Sequence, residues 1–166
     1  MLEIITWPDP RLKETALPVS RFDDALQVFV GSLEKTLCAG PAAVGIAAPQ
    51  VGVAQRIIII DVNNRKNSSN HGRQVLINPE ITHWEGYTVG REGCLSVPDY
   101  TGNVIRAVEV AVTALDPYGR VQTFQMSGFE ARVVQHEIDH LDGLLFLDRL
   151  VSRRNDLFRR KNYVGK

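Results

Sequence analysis

The segment Gln135-His136-Glu137-Ile138-Asp139-His140 constrains this chain more than any other. On an α-helix, with about 3.6 residues per turn, His136 and His140 stand roughly one turn apart on one face, where their ring nitrogens can share a cation. Glu137 lies beside that face, placed to take a proton from water at the cation's open position, as an HExxH helix does in metal-dependent hydrolysis. The alternative is an amphipathic helix with two histidines on its polar surface. Val133, Val134, Ile138 and Leu141 recur at helical spacing around the motif, so much of the segment should be buried. Buried imidazoles need partners, and a metal is one.

A catalytic site of this type takes three protein ligands and leaves a position for water. In the extended HExxHxxGxxH pattern the third ligand is a later histidine, but this chain keeps Gly143 and has Phe146 at the histidine position. A downstream glutamate is another solution, and no Glu follows Glu137. Ordinary zinc peptidase chemistry is therefore not expected. The remaining candidate lies upstream in Glu92-Gly93-Cys94-Leu95-Ser96, a segment too polar and glycine-rich for regular core. Cys94 as a thiolate would complete a Cys, His, His set; as an isolated residue it would read as a small buried hydrophobe.

Three segments, Gly45-Ile46-Ala47-Ala48-Pro49-Gln50, then Glu92 to Ser96, then His136 to His140, closely resemble the signature motifs of the peptide deformylase family in order and spacing. The resemblance extends to Trp7-Pro8-Asp9-Pro10-Arg11-Leu12, to Ile77-Asn78-Pro79-Glu80-Ile81 and to Leu141 through Leu150, so it spans nearly the whole chain. It implies removal of the formyl group from the N-terminal methionine of new polypeptides, with one divalent metal held by Cys94, His136 and His140. By the same match Glu137 is the general base. Gln50, through its side-chain amide, and Leu95, through its backbone N–H, would stabilise the formyl oxygen as charge builds there. Gly45 would present backbone to an extended peptide, with Val44, Glu92 and Gly93 as further substrate-binding positions. A homologue that keeps the metal but serves only as a binding module is the alternative.

The resemblance implies Fe(II) as the native metal, with zinc, nickel or cobalt able to occupy the site. A thiolate donor lowers the net charge at the cation, so water there is less acidic than beside three imidazoles, and Glu137 carries more of the proton abstraction. A ferrous thiolate centre should also be prone to oxidation. One departure stands in the first motif, where the family's first glycine is Ala43. Alanine is strained there if the position needs φ > 0 and tolerated if it needs only a small side chain; the small-residue run Pro41-Ala42-Ala43-Val44 favours the second.

At 166 residues, with 44% hydrophobic and 23% charged, the chain fits one catalytic domain over 1–166. Nineteen basic and nineteen acidic side chains leave no global pull toward DNA or an anionic membrane. Met1 to Thr6 lacks a basic stretch followed by a long apolar run, and no later segment reads as a membrane span. The expectation is a cytoplasmic protein of bacterial origin, since an organellar form would begin with an Arg- and Ser-rich segment. Cys38 closes a stretch in which Leu26, Phe29 or Val30, Leu33 and Leu37 recur at helical steps, so it reads as buried packing. His71 and His83 lie away from the motifs and take no role.

The expected architecture is α+β, with antiparallel or mixed sheets around a central HExxH helix and an N-terminal helix from about Asp23 to Cys38. Arg56 to Val62 reads as a buried strand, Asn63 to Gly72 as a polar loop, and Val75 to Asn78, Ile81 to Val89, Val104 to Leu115 and Val121 to Met126 as further strands. Asp116-Pro117-Tyr118-Gly119 makes a turn, and Gly143 ends the catalytic helix. From Val151 onward Arg153, Arg154, Arg159, Arg160, Lys161 and Lys166 face Asp156 alone, a local charge of six minus one, or +5. That tail reads either as a contact for ribosomal RNA or as a solvated, partly helical end that aids solubility.

Overall fold

The computed structural model describes residues 1–63, 65 and 69–161. In chain order its main elements are α1 (Asp24–Ala39), β1 (Gly45–Ala47), β2 (Ile57–Ile60), β3 (Gln74–Cys94), β4 (Val97–Leu115), β5 (Val121–Ser127), α2 (Gly128–Leu141) and β6 (Leu157–Arg159). The strands form one sheet in the order β1-β2-β3-β4-β5, with β6 on β4, and every ladder between them is antiparallel. The fold is α+β, as the pattern of elements predicts.

The four isoleucines of β2 are fully buried, which requires cover on both faces. Their side chains alternate accordingly. Ile58 and Ile60 join Val134, Ile138 and Leu141 of α2, whereas Ile57 and Ile59 join Leu26, Val30, Leu33 and Leu37 of α1. Burying one such side chain contributes about 1.5–3 kcal/mol, so this strand pins a helix to each face of the sheet. Asp23 caps α1 by accepting the Leu26 N–H, as expected of an aspartate at that boundary.

Several expectations change. The two strands read at 75–78 and 81–89 belong to a single β3, because register shifts near Ile77/Glu80 and Ile81/His83 absorb the irregular residues without ending the ladder. Asn78 takes φ 50 there and exchanges hydrogen bonds with the Val19 backbone. Glu92 to Ser96 is not an irregular segment: β3 runs through Cys94, which pairs with Val97 across a turn at Leu95 and Ser96. The described part of the C-terminal tail, to Lys161, is not helical. Leu157 to Arg159 pairs with Tyr100 to Gly102 of β4, and residues 162–166 lie outside the described residues. Part of the polar loop, at 64 and 66–68, also lies outside them. Cys38 is exposed, not buried, because the buried stripe of α1 passes through Leu33, Thr36 and Leu37 and leaves the next position on the outer face.

Gly143 stops α2 at φ 73, the left-handed conformation glycine favours, and a Cβ there would collide with the carbonyl of Lys13. Among the described residues no helix is long and apolar enough to cross a membrane.

Candidate metal centre

Helix α2 is buried along nearly its whole length and carries Glu130, Arg132, Gln135, His136, Glu137, Asp139 and His140 into the interior. Each buried polar group must find a partner or cost about 1–3 kcal/mol. Glu130 takes the backbone N–H and ring Nδ1 of His71 at 2.8 and 2.7 Å. Gln135 exchanges hydrogen bonds with the backbone of Ala107, closing the edge of β4 beyond the end of β5. Asp139 binds Arg106 at 2.6 Å and Arg149 at 3.1 Å. Arg132 and His136 both reach Glu92. Among the described residues, the fully buried side-chain atoms of α2 left without a hydrogen-bond partner are Glu137 Oε2 and His140 Nδ1.

Of these two residues, His140 is one of the three ligands named from sequence and Glu137 directly follows another, His136. The candidate ligand atoms of Cys94, His136 and His140 lie within 4.8 Å of one another, all three residues buried, and Cys94 Sγ stands 3.4 Å from His140 Nε2. Pairing of His136 Nδ1 with Glu92 Oε1 at 2.8 Å leaves Nε2 of that ring for the cation, the usual carboxylate, histidine, metal arrangement. A sulfur, two imidazoles and a free carboxylate beside them fit a zinc or ferrous ion.

Charge tells the same story. Burial pushes the Glu137 carboxyl up to about 7, only partly opposed by the nearby His136. Burial also works against a charged His136, yet Cys94 and Glu92 hold its pKa well above the ordinary value, so positive charge is favoured between the sulfur and the carboxylate. His140 is pushed well below its ordinary value by burial and by the charges of His136 and Arg106, so it is neutral and able to ligate.

The remaining site residues surround this core. Gln50 is fixed at both ends: its Oε1 accepts the Ala47 N–H at 2.9 Å, and its Nε2 donates to Ser96 Oγ at 3.1 Å and Cys94 Sγ at 3.4 Å. The N-terminal segment ties both motifs together, Ile5 N–H donating to Gln50 O and Trp7 N–H to Ser96 O. Leu95 occupies the turn between the sulfur ligand and Ser96. Val44 gives its carbonyl to Asp61 and packs its side chain on the α2 side. By antiparallel alternation Gly45 then turns its N–H and C=O to the far edge of β1, which pairs with no strand among the described residues. A Cβ at Gly45 would lie 2.5 Å from Glu137 Oε1. Gly45→Ala is expected to displace that carboxylate and cost roughly 10²-fold in turnover, with metal content unchanged by elemental analysis. Ala43 does not have positive φ; its neighbour Ala42 does, at 55°.

Glu92 differs from the expectation of a substrate-binding residue. Its oxygens are taken by Arg106, Arg132 and His136, and it is 7% exposed, leaving nothing for a peptide. Burial alone would raise its pKa, but His136 and Arg106 hold it well below the usual carboxylate range. Sequence reasoning missed the arginines of this network. Arg132 and Asp139 could have been found by their helical spacing from His136, whereas Arg106 arrives from β4 through pairing alone. An open groove of about 1120 Å³, lined by Trp84, Tyr87, Ile105, Ile138 and Arg149 among others, includes none of the three ligands.

Residues 1–156 match the family model described as polypeptide deformylase. The chain is 41% identical to a peptide deformylase of Thermodesulfovibrio yellowstonii over 97% of its length and 96% of the relative's. It is 42% identical to that of Alkalilimnicola ehrlichii, covering 97% and 88%. Among solved structures, the Thermotoga maritima peptide deformylase superposes with TM-score 0.84 at 36% identity, over 92% of this chain and 99% of that one. A Met-Ala-Ser-bound class I type b enzyme from Acinetobacter baumannii gives 0.83 at 36% identity, over 90% and 98%. With relatives and solved structures alike matched over nearly the entire chain, this protein belongs to the polypeptide deformylase family.

Proposed function

We propose that this chain is a metal-dependent hydrolase that removes the formyl group from N-formylmethionyl ends of new polypeptides. The observation that carries the reading is the convergence of Cys94, His136 and His140 beside an unpartnered Glu137 carboxylate and the open edge of β1. A divalent ion held by those three residues would supply Lewis acidity toward the formyl oxygen and acidify water. Gly45 offers N–H and C=O to the substrate backbone, which adds as a strand along β1. The Acinetobacter relative's bound Met-Ala-Ser supports a peptide in that role. Gln50, unable to flip because Ala47 holds its oxygen, keeps its amide N–H toward the site, and with the Leu95 N–H it stabilises the developing oxyanion. Glu137 takes the proton from the attacking water and returns it to the leaving amine.

Anaerobic purification with metal analysis, followed by assay on a formyl-Met peptide and its acetyl counterpart, tests the reading. Turnover of the formyl peptide with little of the acetyl one is expected; a metal-free protein or equal turnover of both overturns it. For the metal we favour Fe(II). The ferrous protein, prepared without oxygen, is expected to turn over faster than the zinc form, and equal rates would remove that preference.

Substrates of this kind place the enzyme in the cytoplasm, near ribosomes. The exposed Arg153, Arg154 and Lys161 offer a contact for ribosomal RNA, whose signature is steep salt dependence. Replacing all three by glutamine is expected to weaken sedimentation with ribosomes at low salt; unchanged, salt-independent association would end that idea.

A further inference from the structure

On the face of the β3–β4 hairpin opposite Glu92, Arg91 and Gly93 stand beside Asn103 and Thr101, their cross-strand partners. Just past β6, Arg160 reaches over this face: its backbone N–H donates to Asp99 O at 2.7 Å, and its Nη2 lies 2.5 Å from where a Gly93 Cβ would be. Its Nε is buried and has no hydrogen-bond partner, and its guanidinium makes no ion pair among the described residues. Arg91 lies 3.7 Å over the Phe158 ring and bonds only the neutral Asn103 Oδ1 and Thr101 Oγ1.

The contrast within the same hairpin is informative. Arg106 and Arg132, buried on its other face, are each matched to a carboxylate. Arg91 and Arg160 put two positive charges around Gly93, adjacent to the sulfur ligand Cys94, with no carboxylate between them. A half-buried guanidinium without an acceptor is unfavourable unless something supplies one. Beyond Ile77, β3 pairs on one edge only among the described residues, and a peptide extended along its free edge, at about 3.3 Å per residue, turns alternate side chains to this face.

We propose that Arg160, with Arg91 beside it, binds a carboxylate of the peptide substrate downstream of the formylmethionine. This rests on the deformylase reading above. The forked guanidinium suits a carboxylate in particular, and the charged pair strengthens the hydrogen bonds. The carboxylate can be an Asp or Glu side chain or the free terminus of a short peptide.

Three peptides separate these sources: formyl-Met-Ala-Ala amide, formyl-Met-Ala-Asp amide, and formyl-Met-Ala-Ala with a free terminus. Wild-type protein is expected to show a kcat/KM about tenfold higher for a carboxylate-bearing peptide than for the neutral amide, carried by KM and reduced by added salt. Whichever carboxylate peptide gains names the source. Arg160→Gln is expected to bring that ratio close to one. If Arg160→Gln does not fold, Arg160→Lys is read instead, and its ratio is expected to shrink because the fork is lost. Equal KM for all three peptides in wild type, or an unchanged ratio in the variant, overturns the proposal. No turnover of any peptide is a different result, and with it the deformylase reading and this proposal both fall.

Discussion

Glu137→Gln is expected to retain the metal and lose about 10³- to 10⁴-fold in kcat, the upper part of the range for a general base. Glutamine keeps the shape of a side chain that touches no ligand-holding partner, so Cys94, His136 and His140 should bind as before. Metal content and single-turnover assay on a formyl-Met peptide check both halves; unaffected turnover removes Glu137 from the mechanism. The pH profile adds a sign. Burial, partly opposed by His136, pushes the Glu137 carboxyl up to about 7, and the base must be ionised, so kcat/KM falls as pH drops through its pKa. A cation nearby favours the charged form, which moves the acidic limb below 7 in the loaded enzyme. Glu137→Gln should lack that limb. A homologue that merely binds peptides would show no difference between the two proteins in any of these assays.

Glu92→Gln carries the largest expected cost in stability. The carboxylate joins Arg106, Arg132 and His136 in the interior, with distances of 2.7 to 2.9 Å. Removing its charge leaves Arg132 without an anionic partner and Arg106 with Asp139 alone, the situation in which a broken buried pair costs about 3–5 kcal/mol. For a domain of this size that is a fall in Tm on the order of 10 °C, measurable by thermal unfolding. Because the folded pKa of Glu92 lies below its unfolded value, its contribution is complete above the unfolded pKa and disappears as pH falls toward the folded one. The variant should therefore lose part of the acid sensitivity of the parent. Metal affinity should drop about 10- to 100-fold, since His136 loses its orienting partner. A variant as stable as wild type, with unchanged affinity, would show that the network is not what holds His136.

The catalytic core was legible because its parts are local or near-local. Two histidines four residues apart meet on any helix, and the apolar positions around them demand that the helix be buried. The β-branched run of β2 and the capped, striped α1 are short-range patterns of the same kind. Glu92 was misread for the opposite reason: its neighbours in sequence suggest contact with substrate, while its actual partners come from β4 and α2, brought together by a hairpin turning at Leu95 and Ser96. Cys38 fell just outside a helical stripe whose phase only packing defines.

What the sequence determined by itself was therefore the pairing of His136 with His140, the carboxylate beside them and the buried helix that presents all three, because helical periodicity and burial are properties of contiguous residues. The tertiary structure alone decided which charges neutralise which, that β3 continues through its irregular residues, and that Leu157–Arg159 of the tail forms a strand bringing Arg160 beside Gly93. Those outcomes depend on strand register and on the demand that every buried charge meet a partner, and both are settled between segments far apart in the chain.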